Sequence, residues 1–298
     1  MSVQFGWNEK ALAEGEMHRL RFGIAVGSDE TARERIEPFR VYLENALDMA
    51  VDLFLIDTLG ELAEALSQGD IDYARLSPSA FGVVSASCRC VEPLATAAPD
   101  SFPPHYFSVL VTRKASQLNT LADLKGARLG TGEGTSIATH RVPLSGLLAE
   151  GIDPAQHFRT LVQVQTPIEG LQAVLDGRVD ASLAWSTLSG SPETGYTAGT
   201  LNDFYISRRP GFSDLQIVWR SSPIPYTAHA VHTETPDAVK QSLREALLTL
   251  LETAPDVYLA VEPDYPGGLR PAVAADFRAL ERGYSPAFLS WLKSYRNR

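Results

Sequence analysis

Cysteine is nearly absent: two in 298 residues, Cys88 and Cys90, with one residue between them. In an extended segment their side chains share a face, but a bridge there is strained. They offer no disulfide framework and no metal site, and read as two small half-buried residues. Long apolar runs are also missing. Those present, such as 49–56 with its internal acid, fall far short of the roughly 20 residues needed to cross a bilayer. Positive charge is scarce: 26 Lys and Arg against 36 Asp and Glu give a net charge of −10, which argues against a nucleic-acid surface. An anionic ligand is not excluded, because salt screens distant charge beyond about 10 Å. Residues 1–20 contain no basic leader followed by an apolar stretch and a small-residue cleavage site. A Gly-x-Ser-x-Gly elbow and a Walker loop are lacking. The six histidines show no helical zinc spacing, and His229 and His232 fall on opposite faces of an expected strand. Gly130-Thr131-Gly132-Glu133-Gly134 lacks the third glycine and the later acid of a dinucleotide loop. No catalytic constellation, metal or cofactor is therefore expected.

What is present is an α/β alternation in a chain long enough for two domains. Leu20 to Val26 reads as a strand, Thr31 to Leu47 as an amphipathic helix, and Val51 to Ile56 as a strand. A short helix from Leu59 ends near Gly69, and Ile71 to Leu76 is a third strand closed by Ser77-Pro78-Ser79. This order predicts a parallel wound sheet with ligands beyond the carboxyl ends of its strands. The turns at 27–29 and 77–81 are then the first pocket candidates. After Phe107 to Thr112, a second wound unit runs from Ala127, with strands near 158–162 and 179–184 and a helix from Pro167 to Leu175. Leu215 to Arg220 and Ala228 to His232 read as later strands, followed by helices after Pro236. No internal repeat or low-complexity tract is visible. The expected domains are residues 18–112 as the first part of lobe 1, 113–224 as lobe 2, and 225–298 as the return to lobe 1 with C-terminal helices. Two crossings make a hinge and leave a ligand cleft between the lobes.

Thr131 to Thr139 (TGEGTSIAT) is the strongest site candidate. Glycines let backbone approach a ligand, and Thr135 or Ser136 caps the helix that follows. The unpaired amides of its first turn form an anion cradle. Thr135, Ser136 and Thr139 add hydroxyl donors, and His140 or Arg141 adds charge. Glu133 opposes an anion unless it points to solvent or accepts a ligand proton. Ser79 follows the third strand. Phe81 is placed in the cleft wall, with ordinary core packing as the alternative. Arg75 is expected to pair with a local acid. Trp185 either covers a ligand or packs between lobes, and Tyr226 flanks the second connector.

Four stretches carry a family resemblance over about 20–281. They are Gly69-Asp70-Ile71-Asp72-Tyr73-Ala74 with Ser77-Pro78-Ser79-Ala80-Phe81; Asp123-Leu124-Lys125-Gly126 leading to Gly132 to Ser136; LQAVLDGRVD at 171–180; and WRSSPIP at 219–225 with the helix after Pro236. Together they resemble the phosphonate-type solute-binding proteins of ABC transporters. That resemblance implies the type II periplasmic-binding fold and capture of a small oxyanion: phosphate, phosphite or a phosphonate. It also implies an ABC permease as partner. A monomer without nucleic acid is expected. The location is extracytoplasmic if a leader has been removed, and cytoplasmic otherwise. The chain departs from the family pattern in four places. Phe81 stands where tyrosine is common. The Ser-Thr-Ser turn is partial, with Ser136 inside it in either register. Pro167 replaces a histidine. Tyr226-Thr227 replaces a carboxylate, which argues against an aminoalkylphosphonate. The alternative function is a cytoplasmic enzyme on the same fold, similar to enzymes of the menaquinone or thiamine-pyrimidine pathways.

Overall fold

A computed structural model describes residues 17–26 and 30–296. The expected turn at 27–29 lies outside them. In chain order the first elements are β1 (Arg19–Ala25), α1 (Glu30–Leu47), β2 (Ala50–Ile56), α2 (Leu59–Gln68), β3 (Tyr73–Leu76), α3 (Pro78–Cys88) and β4 (Val91–Ala97). The middle of the chain forms β5 (His105–Arg113), β6 (Arg128–Thr131), α4 (Val142–Ala149), α5 (Pro154–His157), β7 (Thr160–Gln163), α6 (Pro167–Leu175), β8 (Ala181–Ser186), α7 (Thr200–Ile206), β9 (Leu215–Arg220) and β10 (Ile224–Pro225). The remainder forms β11 (Ala228–His232), α8 (Asp237–Thr253), α9 (Pro255–Val261), β12 (Leu269–Pro271), α10 (Arg278–Tyr284) and α11 (Pro286–Arg296).

Two mixed sheets result. One has the order β12-β4-β11-β3-β1-β2, the other β10-β5-β8-β6-β7 with β9 also on β5. This is the α/β type II periplasmic-binding architecture, with one sheet in each lobe. Alternation along β1 sends Leu20, Phe22 and Ile24 into a core shared with Ile36, Phe39 and Leu43 of α1. Pro38 lies inside α1 without ending it. Thr58 and Glu61 cap the start of α2 reciprocally, and left-handed Gly69 (φ 75°) ends it.

The lobes share a device. Asp72 accepts from the Arg21 backbone amide (2.8 Å) and is gripped by its guanidinium, pinning β3 to β1. Asp180 accepts from the Arg128 amide (2.7 Å) and guanidinium (3.1 and 2.8 Å), pinning the chain before β8 to β6. In each lobe the aspartate lies three residues after a left-handed glycine, Gly69 or Gly177. So Gly-x-x-Asp is a strand-docking device, and the chain carries it twice.

Three expectations change. β5 pairs with β8 and β9, so residues 105–112 belong to the second lobe rather than the first. The C-terminal helices do not stay on the first lobe. α10 packs against both α3 and α4, and Phe288 and Leu292 of α11 enter the second lobe's core beside Leu144 and Leu147. The chain thus crosses between lobes three times. Finally, Cys88 and Cys90 are bridged. Arg89 between them is left-handed (φ 53°), which turns the chain at the end of α3 and brings the sulfurs together as an extended segment would not.

Candidate functional site

The turn after β6 is held by its own backbone. The Gly132 amide donates to Thr139 O (3.0 Å), and the Ser136 amide to Glu133 O (2.9 Å). Ser136 Oγ accepts from the Thr139 amide (3.2 Å) and lies 2.7 Å from Thr139 Oγ1. Ser136 therefore caps one wide helical turn, Ile137–Arg141, that runs on into α4. Gly132 is required by close approach: a Cβ there would overlap Thr139 Oγ1 and lie 3.1 Å from Thr139 Cβ. The amides of Ile137 and Ala138 meet no acceptor among the described residues. They are the donors that a helix start leaves over for an anion. Thr139 is buried, whereas Glu133 and Thr135 are exposed.

Across the gap, Ser77 caps α3 by accepting from the Ala80 amide (3.2 Å). Ser79, half-buried, finds no partner for its hydroxyl or amide among the described residues. Ile137 packs on the cluster containing Ala80, so the capped turn of the second lobe sits against the first. Phe81 is not in the cleft wall. It is fully buried, its ring 4.3 Å from that of Phe277, because the first turn of α3 points it toward the C-terminal segment.

An aromatic column joins the lobes. Trp185 at the end of β8 meets Tyr106 edge-on (5.5 Å between centroids). Tyr106 meets Tyr226 (5.3 Å), and Tyr226 meets Tyr265 (4.9 Å). Tyr106 is the second residue of β5 and Tyr226 follows β10, so the first two crossings contribute one ring each. The Tyr106 and Tyr226 hydroxyls have no hydrogen-bond partner among the described residues. Burial first, and neighbouring tyrosines second, push both phenols well above their usual value of 10.0. They stay protonated and able to donate. Sequence reasoning singled out Trp185 and Tyr226 but missed Tyr106 and Tyr265. The position of Tyr106 immediately before the expected strand at Phe107 to Thr112 was the available signal; nothing in the sequence marked Tyr265.

The charged candidates are engaged elsewhere. Arg75 pairs with Glu262 through two hydrogen bonds (3.1 and 2.8 Å), which is the local acid partner expected of it. Glu262 also accepts from Thr227 (3.0 Å) and bonds His229 Nε2 (3.0 Å), while His229 Nδ1 bonds the Tyr73 hydroxyl (2.6 Å). Burial alone would raise the Glu262 carboxyl, but the His229 and Arg75 bonds and charges outweigh it and bring it down to about 2. Arg141 donates to Gly283 O (3.2 Å) and stacks on Tyr284, 4.4 Å from its centroid. Both ring nitrogens of His140 are buried. Among the described residues no cluster of side chains fits a metal ion.

Residues 23–277 match the family described as the periplasmic substrate-binding protein of phosphonate ABC transporters. The chain belongs to this family. Its curated relatives include the phosphonates-binding periplasmic protein of Escherichia coli K12, 26% identical over 221 residues, or 72% of this chain and 61% of the relative. The chain therefore matches less than two thirds of that protein's length. Among solved structures, the XAC2383 protein of Xanthomonas citri, described as bound to ATP, superposes with a TM-score of 0.58 at 17% identity, covering 94% of this chain and 99% of that one. Transferrin 1 of Manduca sexta gives 0.63 at 11% identity, covering 93% of this chain and 47% of that one. At such identities these structures report the fold alone. The family is one of binding proteins, which leaves the enzyme alternative without support.

Proposed function

We propose that this chain is the solute-binding component of an ABC importer and captures a small oxyanion by closing its two lobes. The ligand class is phosphate, phosphite or a phosphonate. The observation that carries the reading is the set of unspent donors where the lobes meet: the Ile137 and Ala138 amides, Ser79, and the Tyr106 and Tyr226 hydroxyls. Donors without a counter-charge suit an anion in a partly desolvated gap. Ser136 and Thr139 hold the turn in shape, Thr135 stands at its rim, and Trp185 and Tyr226 supply the wall. His140 is assigned to the same helical turn. Closure shifts an open–closed equilibrium that a membrane permease reads. The partner and an extracytoplasmic location follow from this reading; among the described residues no helix is long and apolar enough to span a membrane.

A thermal-shift series tests it, with phosphate, phosphite, methylphosphonate, aminoethylphosphonate and sulfate. A tight ligand raises the melting point by mass action. One of the first three is expected to do so, aminoethylphosphonate less, and Ser136→Ala to lose most of the shift. No shift with any oxyanion overturns the proposal.

A further inference from the structure

A cavity lies at the hinge, with a volume of about 590 Å³. Four segments build it. The outgoing crossing gives Pro104 and His105, and the returning one gives Ser222, Pro223 and Pro225. The first lobe supplies Thr96, Pro271 and Asp276, and α10 supplies Arg278 and Arg282. None of its lining belongs to the oxyanion turn or the aromatic column. Neighbouring residues of an extended chain point to opposite sides. His105 and Pro225 thus line one face of the crossings, and Tyr106 and Tyr226 the other.

Two polar atoms of its lining residues are unspent. Thr96 is only 4% exposed, and its Oγ1 has no partner. Arg282 Nε is likewise buried and unpaired, although its Nη2 donates to Ser222 Oγ (3.2 Å). Buried polar groups are rarely left unmatched. Arg278 and Arg282 against Asp276 leave one net positive charge. Burial holds His105 below the ordinary histidine value, so it adds none at neutral pH. Four rigid, apolar proline rings complete the lining, and about 590 Å³ is far more room than a bare ion needs; a water occupies only about 30 Å³.

We propose that this hinge cavity is a second ligand site, for a small organic monoanion with one acidic head on a short apolar body. Arg282 and Arg278 take the head, Ser222 adds a hydroxyl, and the prolines take the body. Because the first two crossings and α10 touch the occupant, it sits where lobe closure is decided.

The Arg282 Nε–H resonance in a ¹⁵N-labelled sample reads the site directly. Butyrate at millimolar concentration is expected to move it, and uncharged butyramide is not. Arg278→Gln, at an exposed position, should weaken the butyrate response about tenfold, the loss of one charge-assisted contact. The response should persist in Tyr226→Phe. A resonance that butyrate leaves in place, that butyramide moves equally, or that stops responding in Tyr226→Phe overturns the proposal.

Discussion

The rings of Tyr106 and Tyr226 stand 5.3 Å apart, one at the start of the strand entering the second lobe and one just after the return. The first two crossings thus each place a protonated phenol between the lobes, where the proposed oxyanion site needs donors. Replacing either by phenylalanine removes a donor and keeps the ring packing. Tyr106→Phe or Tyr226→Phe should weaken oxyanion binding about 10- to 100-fold, one hydrogen bond to a charged group, with little change in unliganded stability. Because both pKa values are raised, this contribution should hold constant as pH rises to the usual tyrosine value of 10.0. Calorimetric titration at several pH values checks both points.

Gly132 and Thr139 cannot both carry full side chains. Gly132→Ala should cost about 1–3 kcal/mol by overpacking and lower affinity, since the turn must shift. Removing the obstructing hydroxyl with Thr139→Ala in the same chain should recover part of the loss. A double-mutant cycle on thermal midpoints measures that coupling.

Phe81 separates two accounts of α3. As a buried core residue against Phe277, its truncation to alanine should cost about 3–5 kcal/mol. Phe81→Tyr should bury a hydroxyl among apolar groups and lower stability without improving oxyanion affinity. Denaturant melts and titration of both variants distinguish these outcomes.

Much of this arrangement was legible in advance. The strand and helix periodicity of both wound units follows from residue pattern alone, and so does a capped turn at Thr135 or Ser136; the family resemblance singled out Ser136, which is the residue that caps. Other parts depend on tertiary partners. The residue pattern did not mark a strand at Val91–Ala97, where Pro93 has no amide to give a ladder; β4 forms there with its partner β11 shifting register next to the Pro93–Ala230 pair. Ser77-Pro78-Ser79 read as a closing turn, whereas Ser77 caps a helix with Pro78 in its first turn. That helix is what carries Phe81 into the core. Amphipathic spacing marked the C-terminal helices, but no periodicity says which lobe their apolar face meets.

Glu262 ties Arg75, Thr227 and His229 together where the chain returns to the first lobe. Its folded pKa, about 2, lies below the ordinary 4.5. The ionised carboxylate therefore contributes stability above about pH 4.5, and that contribution is lost as pH falls toward about 2. Glu262→Gln leaves Arg75 without its counter-charge and should cost about 3–5 kcal/mol at neutral pH. The acid limb of its stability curve should be flatter than wild type in that window. Urea melts across pH check the sign.

The most direct measurement is a crystal structure of the chain with the oxyanion that gives the largest thermal shift. The anion should lie within hydrogen-bond distance of the Ile137 and Ala138 amides and of the Tyr106 and Tyr226 hydroxyls. An anion bound away from that turn, with those four groups still unspent, would contradict the account.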